Sequence, residues 1–473
     1  MELVDLIAAV QDHVLASAIQ PCVVTAIGRH AQSLEQGALY VALHGTQNDG
    51  HRYCEEAYAH GACAVVIDDP ELFEKLVGPR ILVDDTAFVY GWLASAFFGY
   101  PSRYMQMVGI TGTSGKTTTA LLVQSIMQPN AGCIGTLGIS YGDEIIASSH
   151  TTPDAYELQG VLARMLRAGC RAVVMEVSSH ALVQRRLDGT FFDGMLFLNL
   201  SPEHLDYHTS MEEYFEAKAL LMTRYREQAE KVGKKPCIVL ESGFYGQKLM
   251  ARTPGAVFFD ASFLRGGEAI TGEYLGISIQ SSLVGQFHAA NIAAAVRLMH
   301  ALGYSNDAIS RGIGACQVIP GRLDEVHEAR PYGGRVFIDY AHKPDALEKV
   351  LIAVRALEPT KKLGVVFGCG GNRDTKKRPL MGAIASRLAD WVIVTSDNPR
   401  NESPEAIIAA IMVGAYSARA VSDRREAICA ALDLLPGACI VIAGKGHEEV
   451  QIFGNQEVPF SDKQVVLEYL KKC

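Results

Sequence analysis

The stretch Met107-Val-Gly-Ile-Thr-Gly-Thr-Ser-Gly-Lys-Thr-Thr-Thr119 constrains this chain most: an apolar strand runs into a glycine-rich turn and then into a Lys-Thr helix start. Gly112 and Gly115 let the backbone turn tightly enough for its N–H groups to point at a polyanion, and the helix that opens near Lys116 adds its positive end. Lys116 is expected to reach terminal phosphates and Thr117 to ligate magnesium. The glycine spacing is irregular for a general phosphate loop, since Ile110 stands five residues before Gly115 and the nearest glycine, Gly109, comes one residue earlier. The form present is the shorter Gly-Thr-Ser-Gly-Lys-Thr.

A chain of 473 residues is too long for one core and predicts roughly three domains. A helix and strand alternation over 1–100 reads as a small α/β module, with Leu3, Leu6, Ile7 and Val10 at helical spacing and Cys63 to Ile67 as a buried strand. A central unit follows over 101–320. In it, Thr152-Pro153 reads as a cap and first helical position for a helix through Arg167, which feeds a strand from Ala172 to Val177. Gly272 to Val284 reads as alternating strand and His288 to Leu302 as an Ala-rich helix. A third unit, 321–473, carries apolar strands at Val336 to Asp339, Gly364 to Gly368, Trp391 to Thr395 and Cys439 to Ala443. Strands alternating with helices predict an α/β protein with mostly parallel, doubly wound, Rossmann-like sheets whose ligands gather at the C-terminal ends of the strands.

The formal charge of −9 is spread along the chain, which argues against nucleic-acid or anionic-membrane partners. Eleven scattered cysteines without a Cys-x-x-Cys pair suggest a reducing cytoplasm. The longest low-polarity run, Ala87 to Tyr100, is short of the roughly 20 residues of a membrane span. A cytoplasmic monomer with no membrane span is expected.

Two apolar strands of the central unit end in groups suited to metal and phosphate. Glu176 closes one; Asn199-Leu-Ser-Pro-Glu-His-Leu-Asp-Tyr-His208 closes the other. If these strands neighbour the phosphate-loop strand, Thr117, Glu176 and His204 can meet magnesium bound to ATP. His204 and His208 stand four apart, but no Glu follows the first histidine as a zincin helix requires, which excludes that zinc hydrolase motif.

Together with the phosphate loop, the runs Glu176-Val-Ser-Ser-His180, Glu203-His-Leu-Asp-Tyr-His208, Tyr214-Phe-Glu-Ala-Lys218, Asp339-Tyr-Ala-His-Lys-Pro-Asp-Ala-Leu-Glu348 and Gly444-Lys-Gly-His-Glu448 resemble the Mur ligases, in order and over nearly the whole chain. The resemblance implies an ATP-dependent amide ligase of peptidoglycan synthesis that adds a third amino acid to UDP-N-acetylmuramoyl-L-alanyl-D-glutamate. It implies ATP contacts at Gly112, Thr113, Ser114, Gly115, Lys116, Thr117, Thr118, Asn291, Arg322, Asp339 and His342. Magnesium is implied at Thr117, Glu176, His204 and Lys218, with Lys218 carbamylated to N6-carboxylysine so that an anion faces the metal instead of an ammonium. Lys116, Glu176, His204 and Lys218 are the implied catalytic set. The muramyl-peptide carrier is implied at Thr151, Thr152, Ser178, Gln184 and Arg186, and its uridine diphosphate in the first module, where the family's Asp-Ser-Arg is replaced by His30-Ala-Gln32. Ser114 stands for the usual Asn and Glu203 for Asp, and the segment after Met127 is short.

The Asp397-Asn398-Pro399-Arg400 form resembles ligases that use meso-diaminopimelate. A guanidinium is the natural bidentate partner of that substrate's second carboxylate. Arg373 and Arg400 are expected to hold carboxylates, and Gly444 with Glu448 the distal amine. L-Lysine would leave Arg400 without its partner. The competing readings are the lysine-adding reaction, a related amide ligase such as folylpolyglutamate synthetase, and a nucleotide-binding scaffold without turnover.

Overall fold

The computed structural model of the chain describes every residue except 46, 47, 149, 205, 206 and 473, so Leu205 and Asp206 of the histidine motif lie outside the described residues. The chain divides into two compact units. One contains Met1–Gly112, Met127–Leu198 and Glu212–Phe258; the other contains Thr113–Ile126, Asn199–Met211 and Phe259–Cys473. No helix among the described residues is long and apolar enough to cross a membrane.

The first unit holds two sheets. The smaller comprises β1 (Val14–Ala18), β2 (Ile27–Gly28), β3 (Leu39–Val41), β4 (Ala64–Ile67) and β5 (Arg80–Val83), in the order β1-β5-β4-β3-β2. Strands β2 to β5 run parallel and β1 pairs antiparallel to β5. Both faces are covered: Leu39, Val41, Ala64 and Val66 pack into one core and Tyr40, Ala42, Val65 and Ile67 into another. Burial on both faces is why these strands read as unbroken apolar runs.

The larger sheet contains β6 (Gln106–Thr111), β7 (Ala131–Gly135), β8 (Gly138–Tyr141), β9 (Glu144–Ile146), β10 (Ala172–Glu176), β11 (Gly194–Phe197), β12 (Cys237–Leu240) and β13 (Val257–Phe258), in the order β13-β12-β11-β6-β10-β7-β8-β9. The phosphate-loop strand β6 therefore lies between β10 and β11, parallel to both, with Ile110 opposite Glu176 and Thr111 opposite Phe197. The three strands named from the sequence are neighbours.

In the second unit, β14 (Leu264–Arg265), β15 (Ile270–Tyr274) and β16 (Ile277–Ser281) form an antiparallel sheet, so the expected single strand over 272–284 is the greater part of a hairpin. Tyr274 and Leu275 precede Gly276, which turns the chain at φ +72°. The main sheet comprises β17 (Asp324–Glu325), β18 (Arg335–Asp339), β19 (Lys362–Phe367), β20 (Trp391–Val394), β21 (Arg419–Ala420) and β22 (Ala438–Ala443), ordered β17-β18-β22-β19-β20-β21. All but β17 are parallel. Phe337, Val365, Phe367 and Val441 face one core and Val336, Ile338, Val366, Ile440 and Ile442 the other. Helices thus cover both faces, and the loops after β18, β22, β19 and β20 emerge along one edge.

One helix start differs from expectation. The helix runs Ala155–Arg167 and its cap is Asp154, whose side chain accepts from Glu157 N. Thr152 is committed elsewhere: its hydroxyl donates to the Glu176 carbonyl at 2.8 Å and accepts from Ser178 N. A capping pattern read locally cannot reveal that competing partner.

Candidate active site

In the second unit, the helix Lys116–Met127 begins at the expected lysine. Its loop is held by Asn199, whose Oδ1 accepts from Thr113 N at 3.1 Å and Ser114 N at 2.9 Å while its Nδ2 donates to Ser114 O at 3.0 Å. Gly115 sits at φ +85°, and a Cβ there would lie 2.3 Å from Asn291 Oδ1. That close approach leaves no room for a side chain at position 115 and sets the loop against Asn291 of the helix Gln286–Ala301. Thr117 is buried, and its hydroxyl accepts from Arg322 Nη2 at 3.2 Å.

Arg322 follows Gly321, which turns at φ +64° and has its carbonyl bonded to Tyr340 N. The guanidinium lies 4.6 Å from the Tyr340 ring centre, and its buried Nε meets no acceptor among the described residues. Asp339 ends β18 with its carboxylate accepting from Leu323 N at 2.6 Å and Ala341 N at 2.7 Å. Burial pushes its carboxyl up to about 6 against the pull of Arg322. His342 donates Nδ1–H to the Tyr340 carbonyl at 2.7 Å. Burial, then the ammonium groups of Lys343 and Lys377, hold it well below its ordinary value, so the ring is neutral.

Lys343 was present in the quoted motif but carried no role there. It pairs with Glu203, the neighbour of His204, while His204 Nε2 stands 3.2 Å from Glu203 Oε1. Burial alone would raise the Glu203 carboxyl; Lys343, His204 and Lys116 outweigh it and hold it far below the usual range. Burial likewise draws Lys343 down to about 8 despite Glu203, with Lys116 and Arg322 adding repulsion. Lys116 and Arg322 therefore both act electrostatically on Lys343, an excess of cations suited to a polyphosphate. His204 has left-handed backbone at φ +56°, a conformation that sequence spacing does not disclose.

Along the edge of the main sheet, Asn398 is the hub. Its Nδ2 donates to Glu448 Oε2 at 2.9 Å, and its Oδ1 accepts from Lys445 Nζ and Ile452 N, each at 3.1 Å. Lys445, fully buried, also donates to Glu448 Oε2 at 3.0 Å. Arg400 adopts φ +53° and anchors Nη1 on the Gly371 carbonyl at 2.9 Å. A Cβ on Gly370 would lie 2.9 Å from Arg400 Nη1 and 3.8 Å from Arg373 Cγ, so both arginines flank one glycine, with Arg373 exposed. Gly444 stands at φ +116° where a Cβ would meet Asp397 Oδ2 at 2.4 Å. The residues expected to hold a carboxylate and an amine thus share a connected framework. Lys445 escaped the sequence reading because burial, which couples it to Glu448, has no local signature.

In the first unit, Glu176 is buried with Oε1 accepting from Thr136 N at 2.8 Å and Oε2 from the Thr136 hydroxyl at 3.2 Å. Thr151 Oγ1 lies 3.3 Å from that hydroxyl. Ser178 caps the short helix Ser179–Val183, and Arg186 donates to Thr152 O at 2.8 Å and to Gln184 Oε1 at 2.7 Å. The five residues expected to meet the muramyl peptide are therefore one cluster around the end of β10. Lys218, in the helix Met211–Ala219, is buried rather than a surface lysine; its Nζ donates to the Gly112 carbonyl at 3.0 Å and lies 4.7 Å from the Tyr214 ring centre.

Comparison with known proteins gives three consecutive family matches: the Mur ligase family catalytic domain over residues 23–98, the Mur ligase middle domain over 110–299, and the Mur ligase glutamate ligase domain over 321–446. The UDP-N-acetylmuramoyl-L-alanyl-D-glutamate--2,6-diaminopimelate ligase of Gloeobacter violaceus is 39% identical over 95% of this chain and 94% of its own. A solved structure described by the same enzyme name is 28% identical with a TM-score of 0.66, covering 96% of this chain and 95% of that one. The Thermotoga maritima MurF ligase, solved in complex with ADP, shares the fold at a TM-score of 0.63 and 19% identity over 94% of this chain and 97% of its own. On this extent of likeness, the chain belongs to the Mur ligase family.

Proposed function

We propose that this protein is the ATP-dependent ligase that joins meso-diaminopimelate to UDP-N-acetylmuramoyl-L-alanyl-D-glutamate in the cytoplasm, a step of peptidoglycan synthesis. The single observation that carries the choice of amino acid is the framework at the sheet edge, where Asn398 fixes Glu448 and Arg400 stands beside Gly370 and Arg373. An anion for an ammonium and two guanidinium groups for carboxylates match a substrate with charge at both ends. The names of the relatives support the same reading.

A carboxylate is a poor electrophile, so the carrier's D-glutamyl carboxylate attacks the γ-phosphorus of ATP, forming an acyl phosphate and ADP. The amine of the incoming amino acid then displaces phosphate, forming the amide and releasing a proton. In this reading Lys116, with Gly112 to Thr118, Arg322, Asp339, His342 and Asn291, orients the nucleotide, and Lys116, Arg322 and Lys343 offset the charge that would otherwise repel the attacking carboxylate. By the family resemblance, Thr117 and Glu176 would hold magnesium carried by ATP through their hydroxyl and carboxylate oxygens, with His204 assisting, and the ion would supply further screening of the γ-phosphate. Thr136 fixes the Glu176 carboxylate in the manner of an outer-sphere partner. Lys218 loses one proton to become the free amine, whose nitrogen attacks carbon dioxide to give a carbamate with release of a second proton, turning a buried cation into an anion. Thr151, Thr152, Ser178, Gln184 and Arg186 take the muramyl peptide. The division at about residues 100 and 320 is proposed to separate carrier, nucleotide and amino-acid binding.

The test is phosphate release with saturating ATP, magnesium and muramyl dipeptide nucleotide across a panel of amino acids. Turnover should require the dipeptide nucleotide and favour meso-diaminopimelate over L-lysine by at least a hundredfold in kcat/KM, because Arg400 loses a charged partner in the second case. Comparable rates with both would sink the assignment; ATP hydrolysis indifferent to both substrates would favour a binding protein.

A further inference from the structure

At the C-terminal edge of the first sheet lies a second constellation. His44 follows β3, Asp68 directly follows β4, and His51 lies in the 3-10 turn Gly50–Tyr53 between them. His44 Nε2 and His51 Nε2 stand 2.9 and 3.0 Å from the same oxygen, Asp68 Oδ1. One donor atom from each of the three residues falls within 4.8 Å of the others, and the two imidazoles stack with centres 4.5 Å apart.

Each inner partner is braced from outside. Asp68 Oδ2 accepts from Thr86 N at 3.0 Å and from its hydroxyl at 2.9 Å, which turns Oδ1 toward the histidines. His51 Nδ1 lies 2.7 Å from Asp49 Oδ1, the carboxylate–histidine relation that fixes a metal-binding tautomer. With that proton on Nδ1, His51 Nε2 carries a lone pair. It already accepts from Asp68 N at 3.3 Å, and yet it faces the carboxylate oxygen at 3.0 Å. Two lone pairs held this close need either a proton or a metal ion between them. Donor atoms each about 2.0–2.1 Å from a tetrahedral zinc are separated by little more than this.

We propose that His44, His51 and Asp68 bind one first-row divalent transition-metal ion, zinc by donor chemistry, which ties the ends of β3 and β4 to the intervening turn. The set is two imidazoles and one carboxylate, and the fourth position opens on the His44 side, whose side chain is 64% exposed. Two imidazoles among three donors favour a transition metal over magnesium or calcium, whose sites are built mainly of oxygen.

The test uses the full-length protein, stripped with a chelator and kept in excess magnesium so that hard-metal sites are filled. Zinc is titrated against a chromophoric chelator, with bound metal counted after dialysis. The wild type should hold one equivalent that His44→Ala lacks or binds at least tenfold more weakly, and zinc should raise the thermal midpoint of the first but not of the second. Asp49→Asn, which leaves the three donors in place and keeps an oxygen to cap the turn at His51 N, should weaken binding roughly 10- to 100-fold. Cobalt(II) in place of zinc should give visible bands of a nitrogen and oxygen site without thiolate charge transfer. Circular dichroism confirms that each variant is folded. Equal zinc uptake by wild type and His44→Ala, or thiolate bands with cobalt, would overturn the site; no uptake by either would leave a hydrogen-bonded cluster around a protonated His51 and equally overturn it.

Discussion

Among the described residues Arg424 hydrogen-bonds to none of the proposed substrate site, yet its removal should impair both folding and amino-acid binding. Its side chain and that of Asp462 are fully buried. Nε and Nη2 donate to the two Asp462 oxygens at 2.7 Å each. The same guanidinium donates to the carbonyls of Ser396 at 3.3 Å and Ala443 at 3.0 Å, the residues immediately before Asp397 and Gly444. One cation therefore ties together the two loops that carry the diaminopimelate framework. Arg424→Met retains much of the volume but leaves Asp462 buried without a counter-charge, a loss of about 3–5 kcal/mol. In Arg424→Met/Asp462→Leu no charge remains to be desolvated, and the cost should fall to about 0–2 kcal/mol. The two carbonyls still lack their shared donor, so the double variant should regain stability without regaining substrate affinity. The KM for meso-diaminopimelate should stay raised about tenfold, or ~1.4 kcal/mol, while the KM for ATP changes little. Denaturant unfolding, with hydrogen exchange on β20 and β22 to localise the transition, measures the first effect and steady-state kinetics the second. Equal destabilisation in the single and double variants would refute the desolvation argument; a normal diaminopimelate KM in the double variant would refute the positioning argument.

Asn199→Ala removes three hydrogen bonds from the phosphate loop, on the order of 2–3 kcal/mol, and should raise the KM for ATP at least tenfold with the KM for the amino acid unchanged. Gly444→Ala places a methyl 2.4 Å from Asp397 Oδ2 at φ +116°; strain of about 1–3 kcal/mol should appear as a lower unfolding midpoint together with a raised KM for diaminopimelate. Glu325 offers a pH test. Burial favours its neutral form, but the guanidinium groups of Arg330 and Arg335 prevail and lower its carboxyl from 4.5 to about 2. A depressed carboxyl contributes stability above its unfolded value and loses it as pH falls through the folded one. The advantage of wild type over Glu325→Gln should thus be full above pH 4.5 and fade toward pH 2, worth about 2 kcal/mol after solvent screening; a constant difference between pH 6 and pH 3 in denaturant titrations would contradict it.

The strand, turn and helix around Lys116 were legible because their signals are local: apolar residues at strand period, glycine where the backbone must turn, and a lysine and threonine at a helix start. The buried strands of the two doubly wound sheets were legible for the same reason, since burial on both faces leaves an unbroken apolar run. The order of those strands was not. That β6 lies between β10 and β11, so that Glu176 sits opposite Ile110, is a matter of pairing between segments far apart in the chain. Nor could spacing reveal which partner wins a contested side chain. Thr152 looks like a helix cap until the Glu176 carbonyl and Ser178 N are brought to its hydroxyl. Lys343, Lys445 and Arg424 look like ordinary surface charges until burial forces each onto specific acceptors. By itself the sequence determined the chemistry available to this protein, because residue type fixes charge, donor set and backbone freedom. Tertiary structure alone decided which of those groups share a dielectric and a hydrogen bond, because desolvation and pairing depend on distance in space.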